Sequence, residues 1–145
     1  MKPNEILKRR RLELGLSETE VAKASGLSVY QIGDVEQYED ELLSAITLSE
    51  ARMLCAALAL SLNDAVRIPP GGGALAGSRA QAICFARMQK GLTVEELGDL
   101  IGFEAEAITN IEASPDFVDE LPGEVALNLA RILGLSAAAL LRPGT

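Results

Sequence analysis

The 145 residues include no histidine and no tryptophan, only two cysteines, and aromatic side chains at 3% of the chain. Lacking histidine, the chain has neither a Ser-His or Cys-His nucleophilic pair nor a His-containing zinc site. Cys55 and Cys84 stand far apart with no CxxC spacing, so two reduced, core-filling thiols are expected in place of a disulfide framework. No apolar run approaches the roughly 18 residues of a transmembrane helix. The opening MKPNEILKRRR carries charge but no apolar segment of a secretory signal, so a soluble, cytoplasmic protein is expected, with no membrane partner. GGGALAGS at 71 to 78 lacks the lysine of a P-loop and the strand context of a dinucleotide fingerprint. Neither a cofactor nor an enzymatic activity is expected.

What is present is aliphatic and acidic. Apolar residues make up 48% of the chain, and with so few aromatics the core must come from Leu, Ile, Val and Ala, which favours an all-α fold. The net charge of −8, from 13 basic and 21 acidic side chains, opposes non-specific attraction to a polyanion. An apolar fraction this high in small units also points to self-association as a homodimer, with AAALL near residue 140 as the suggested surface.

The chain repeats itself. LGLSETEVAKASGLSVYQIGDVE at 14 to 36 aligns with KGLTVEELGDLIGFEAEAITNIE at 90 to 112 at an offset of 76 without a gap. LCAALALSLNDAV at 54 to 66 matches within NLARILGLSAAALL at 128 to 141 at an offset of 75, which leaves one extra residue in the first repeat's intervening loop. Between the copies, RIPPGGGALAGS combines two prolines with a glycine run, unsuited to helix or strand. The expected organisation is a first domain over 1–66, a Pro/Gly linker over 67–78 and a second domain over 79–145. Ser17 with Glu20, Thr93 with Glu96, Ser28 with Gln31 and Thr47 with Glu50 have the spacing of capping boxes, while Gly26 and Gly102 sit where a helix would stop. Pro122 is expected in the first turn of the helix matching the one that Thr47 opens. Ile32, Val35, Ile108 and Ile111 fall at core spacing, and about five short helices per repeat result.

A small residue mid-way along one helix, a glycine at the turn and a branched apolar anchor in the next helix appear as Ala22, Gly26 and Ile32, and again as Gly98, Gly102 and Ile108. An arginine in the opening helix and a glutamate near the end of the third appear as Arg11 with Glu36 and Arg87 with Glu112. On these residues both halves resemble the Cro/cI (XRE) helix-turn-helix family, over nearly the whole chain apart from the linker. The resemblance implies two tandem five-helix helix-turn-helix domains and a regulator of transcription. It implies that the two Arg–Glu pairs are structural clamps, with contact to DNA as the alternative for the arginines. It also implies that Val29, Tyr30 and Asp34, then Ala105, Glu106 and Asn110, form the recognition-helix surface.

Those positions fit DNA poorly. None is Arg or Lys, and only Asn110 suits bidentate reading of adenine. A carboxylate facing phosphates costs about 1 to 3 kcal/mol, as much as a good base contact contributes. The loops after the recognition helices, EQYEDELLS and EASPDFVDE, are acidic where the family places phosphate contacts. Lys8, Arg9 and Arg10 form the basic cluster, either a phosphate-binding patch or a solvated helix face. Residues 1–68 carry 8 basic and 11 acidic groups against 5 and 10 in 79–145, so the first repeat is the better candidate for any DNA contact. Two functions follow. In the favoured one the chain acts on another regulatory protein through Glu39, Asp40, Glu41, Asp116, Asp119 and Glu120 together with the recognition-helix surface, with Tyr30, Tyr38 and Phe117 as anchors. In the other it is an operator-binding repressor that uses its two repeats as an internal dimer on double-stranded DNA.

Overall fold

The computed structural model describes residues 1–68, 75 and 77–142; residues 69–74 and 76, most of the expected linker, lie outside that set. All regular structure among the described residues is helical, and the chain divides into two compact units, Met1–Pro69 and Pro70–Thr145. The first holds α1 (Pro3–Glu13), α2 (Glu18–Ser25), α3 (Val29–Gln37), α4 (Glu41–Ser44), α5 (Leu48–Ala57) and α6 (Leu62–Ala65). The second holds α7 (Arg79–Gln89), α8 (Val94–Ile101), α9 (Ala105–Ala113), a 3-10 turn (Phe117–Glu120), α10 (Gly123–Leu133) and α11 (Ala137–Leu141). Element starts match between units at an offset of 76 as far as α4 and the 3-10 turn, and at 75 from α5 and α10 onward. The residue that sets the two offsets apart therefore lies within 45–47, opposite 121–122.

Local chemistry explains the boundaries. At each expected capping box the hydroxyl of Ser17, Ser28, Thr47 or Thr93 accepts from the backbone N–H three residues on, and the Glu or Gln there accepts from the cap's own N–H. Ser78 with Gln81 adds a fifth box at the start of α7. Each such cap contributes about 1 kcal/mol, enough to place a helix start in an element only two or three turns long. Gly26 and Gly102 end α2 and α8 at φ +78 and +79, a left-handed conformation that a side chain resists. Pro122 is the residue before α10 and keeps an extended ψ of 147; it occupies the cap position held by Thr47 and lies just outside the first turn where it was expected.

Two expectations change on folding. The first unit has six helices instead of five, because the acidic segment after α3 is drawn inward by buried Leu42 and Ile46 and winds into a single turn at Glu41–Ser44. Buried Val118 does the same for the 3-10 turn in the second unit. The AAALL segment is not a free surface either. It forms α11, packed on α10, with Ala138, Leu140 and Leu141 buried.

Each unit has its own core. Leu7, Ile32, Leu42, Leu48, Leu54 and Leu58 are among the fully buried side chains of the first, and Ile83, Leu97, Ile108, Ile111, Leu129 and Leu140 among those of the second. Except for Leu48, opposite Gly123, each has an apolar residue at the matching position of the other unit, and burial of each contributes about 1.5–3 kcal/mol. The same packing holds α3 and α9 with one long face outward.

Candidate functional site

The site grows from a pair of helices in each unit. Between α2 and α3 lie only Gly26, Leu27 and Ser28, with Leu27 buried as a plug and Ser28 capping α3. The second unit repeats this with Gly102, Phe103 and Glu104, and here the approach is tighter. A methyl group on Gly98 would stand 2.6 Å from the carbonyl oxygen of Phe103, whereas Ala22 fits at the matching place in the first unit. The Phe103 amide donates to the Gly98 carbonyl at 2.8 Å, so the glycine is what lets the turn close.

A guanidinium holds the far end of the outward helix. Arg11 donates from Nε to Glu36 Oε2 at 2.7 Å and from Nη2 to Oε1 at 3.0 Å, while Nη1 reaches the Leu16 carbonyl at 3.0 Å. Arg87 repeats all three contacts, to Glu112 at 2.7 and 3.0 Å and to the Leu92 carbonyl at 2.7 Å. Side-chain exposure is 9% and 8% in the first pair, 15% and 10% in the second, so both are forked, largely dry ion pairs. The carboxylate hydrogen bond, opposed by burial, raises the pKa of each arginine above its ordinary value and keeps it charged.

What the clamps present is acidic and aromatic. Tyr30 is 82% exposed, and Val29 and Asp34 are exposed beside it on α3. On α9, Glu106 and Asn110 are exposed and Ala105 is half-buried. None of these six side chains is basic. Glu18, at the start of α2, lies 4.0 Å from Arg11 and belongs partly to the clamp.

The expected phosphate-binding cluster is largely committed to its own unit. Arg9 pairs with Glu13 at 3.0 Å, and Arg10 donates to the Leu58 carbonyl at the end of α5 at 2.9 Å while also reaching Glu13 at 3.4 Å. Of the three, only Lys8 has no ion pair within 4.0 Å among the described residues. Arg10 thus caps the end of α5, its guanidinium donating to the Leu58 carbonyl.

The acidic loops divide as well. Glu39 is exposed and 3.3 Å from Lys2, Asp40 is exposed, and Glu41 is half-buried as the first residue of α4. Asp116 and Glu120 are exposed, but Asp119 is not a surface group. Its carboxylate takes two 2.9 Å hydrogen bonds from Arg79, a residue 3% exposed that also donates to the carbonyls of Pro115, Leu140 and Arg142. No sequence spacing marks this pair. Pro3 and Leu43 stand at the matching positions of the first unit.

Phe117, on that anchored turn, lines a cavity of about 280 Å³ with Phe103, Glu104, Glu106, Ala107 and Asn110. This cavity was not foreseen, because Phe103 and Phe117 come from separate loops. Tyr30 and Tyr38 are the exposed aromatics of the first unit, and Phe117 is half-buried.

Neither thiol is shifted toward the thiolate. Burial pushes the Cys55 thiol up to about 12, and the carboxylate of Glu112 raises that of half-buried Cys84. No group of three or more potential metal ligands comes together among the described residues. No protein-family model, curated protein or solved structure matches the chain.

Proposed function

We propose that the chain is a transcription regulator built on tandem Cro/cI-type helix-turn-helix repeats and that it acts mainly through contact with another regulatory protein. The two clamped helix pairs support the repeat assignment: each joins its helices through a left-handed glycine, places a small residue at the crossing and holds the outward helix by a forked Arg–Glu pair. The observation that carries the mechanism is the outward face itself. Asp34 and Glu106 stand on it, the six recognition-surface side chains include no base, and two of the three cluster cations are engaged within their own unit. Phosphate neutralisation supplies most of the non-specific affinity for DNA, and this face supplies little of it. A basic surface, such as the DNA-binding face of another regulator, is its electrostatic complement.

Exposed Asn110 and Lys8 favour one second reading, an operator-binding repressor with the two repeats as an internal dimer. Fluorescence anisotropy of duplexes from the chain's own genomic neighbourhood, across a salt series from low to physiological, separates the two. No sequence-selective binding is expected. Tight, selective binding that weakens steeply with salt would overturn the protein-contact reading.

A further inference from the structure

We propose that the cavity on the α9 face takes an arginine side chain from a basic segment of the partner. The inference rests on the protein-contact reading above and identifies what that contact recognises. Two of the chain's three phenylalanines, Phe103 and Phe117, line the space, and Glu104 and Glu106 lie along it. Neither carboxylate has an ion pair within 4.0 Å among the described residues. At about 280 Å³ the cavity falls below the usual range for small-molecule sites, roughly 300–1,000 Å³, and suits one long side chain. Aromatic surface beside unpaired carboxylates fits a cation with a flat face. A guanidinium stacks on rings and forks to carboxylates, whereas an ammonium is compact and strongly hydrated.

The walls are held in advance. Phe103 sits in the turn that Gly98 allows to close, its amide bonded to the Gly98 carbonyl. Phe117 begins the 3-10 turn that Val118 anchors by burial and that Asp119 ties to buried Arg79. A preformed pocket loses less freedom when it is filled. The first unit lacks the aromatic and acidic walls and the buried ion pair: Leu27, Tyr30 and Glu41 stand where Phe103, Glu106 and Phe117 stand, and Pro3 and Leu43 where Arg79 and Asp119 stand. Exposed Asp116 and Glu120 lie on the same short segment as Phe117 and favour further basic residues in the partner.

The test titrates the full chain into labelled eight-residue peptides with three arginines in a Gly/Ser background, against copies carrying lysine or neutral citrulline. A labelled duplex is titrated in parallel. The arginine peptide is expected to bind about tenfold tighter than the citrulline peptide and measurably tighter than the lysine one. Glu106→Gln and Phe117→Leu should each weaken it several-fold, and Asp64→Asn, at an exposed position away from the outward faces, should leave it unchanged. Amide shifts in two-dimensional NMR should concentrate at 103–110 and 116–118, and circular dichroism checks that each variant is folded. Equal binding of arginine and citrulline peptides, no binding, or equal losses from Asp64→Asn and Glu106→Gln would overturn the pocket. Selective binding of the duplex overturns the protein-contact reading instead, so the two failures are distinguishable.

Discussion

Gly98 and Gly33 both lie inside helices, and for opposite reasons. A Cβ on Gly98 meets the Phe103 carbonyl oxygen at 2.6 Å, a backbone atom that cannot rotate away. A Cβ on Gly33 finds nothing nearer than the flexible end of Glu18, at 3.7 Å. Gly98→Ala should therefore cost about 1–3 kcal/mol by forcing α8 and α9 apart. Gly33→Ala should add about 0.5–1 kcal/mol, because alanine loses less backbone freedom in a helix. Urea unfolding of the two variants against the parent measures both. A neutral Gly98→Ala would mean that the turn relaxes without strain and that its closeness does not position Phe103. From sequence, the small residue at this place was legible as a crossing point; which crossing is too tight for a methyl was not, since that depends on the carbonyl of a residue in the next turn.

At the scale of the element, the forked pairs are the contacts that fix α3 and α9. Glu36 is 8% exposed, so removing its partner leaves a carboxylate in a dry site. Arg11→Met should cost about 3 kcal/mol, and Arg11→Met combined with Glu36→Leu should recover much of that loss, because no charge then remains buried. The Arg87–Glu112 pair, at 15% and 10%, should show the same sign with a smaller penalty. Double-mutant cycles by chemical denaturation give the coupling directly. A coupling below about 0.5 kcal/mol would make these pairs no different from screened surface bridges.

The elements themselves were legible where the signal is local. The Ser17 and Thr93 capping boxes, the left-handed glycines and the Arg–Glu positions recur at the 76-residue offset, and each cap spans only three residues. The single-turn helix at Glu41–Ser44 was not legible, since four residues following an acidic run carry no helical period and only Leu42 and Ile46 draw the segment in. In the sequence Asp119 looks like a surface group for a similar reason. Its partner Arg79 lies 40 positions away and has no counterpart in the first repeat, so neither spacing nor repetition marks it. The cavity depends on that pair and was hidden with it.

For the whole molecule, the sign and placement of charge decide more than its total. The net charge of −8 is shared unevenly, −3 over residues 1–68 and −5 over 79–145. If total charge alone kept the chain off DNA, any three exposed carboxylates would serve equally well when reversed. If placement matters, the outward face of the first unit is special. Asp34→Lys, Glu39→Lys and Asp40→Lys together change the net charge from −8 to −2 on and after α3, at exposed positions. Glu5→Lys, Asp64→Lys and Glu124→Lys make the same change at exposed positions elsewhere. The first triple variant should gain affinity for a random duplex at low salt, with a log–log salt slope on the order of −3 for three new phosphate contacts. The second should gain far less. Equal gains in both would show that the outward face has no privileged geometry toward a duplex, and the helix-turn-helix assignment would then lose its main functional consequence. A gain confined to the first would mean that the scaffold still presents this face as a DNA-binding surface does, and that its carboxylates are what turn it toward a basic partner.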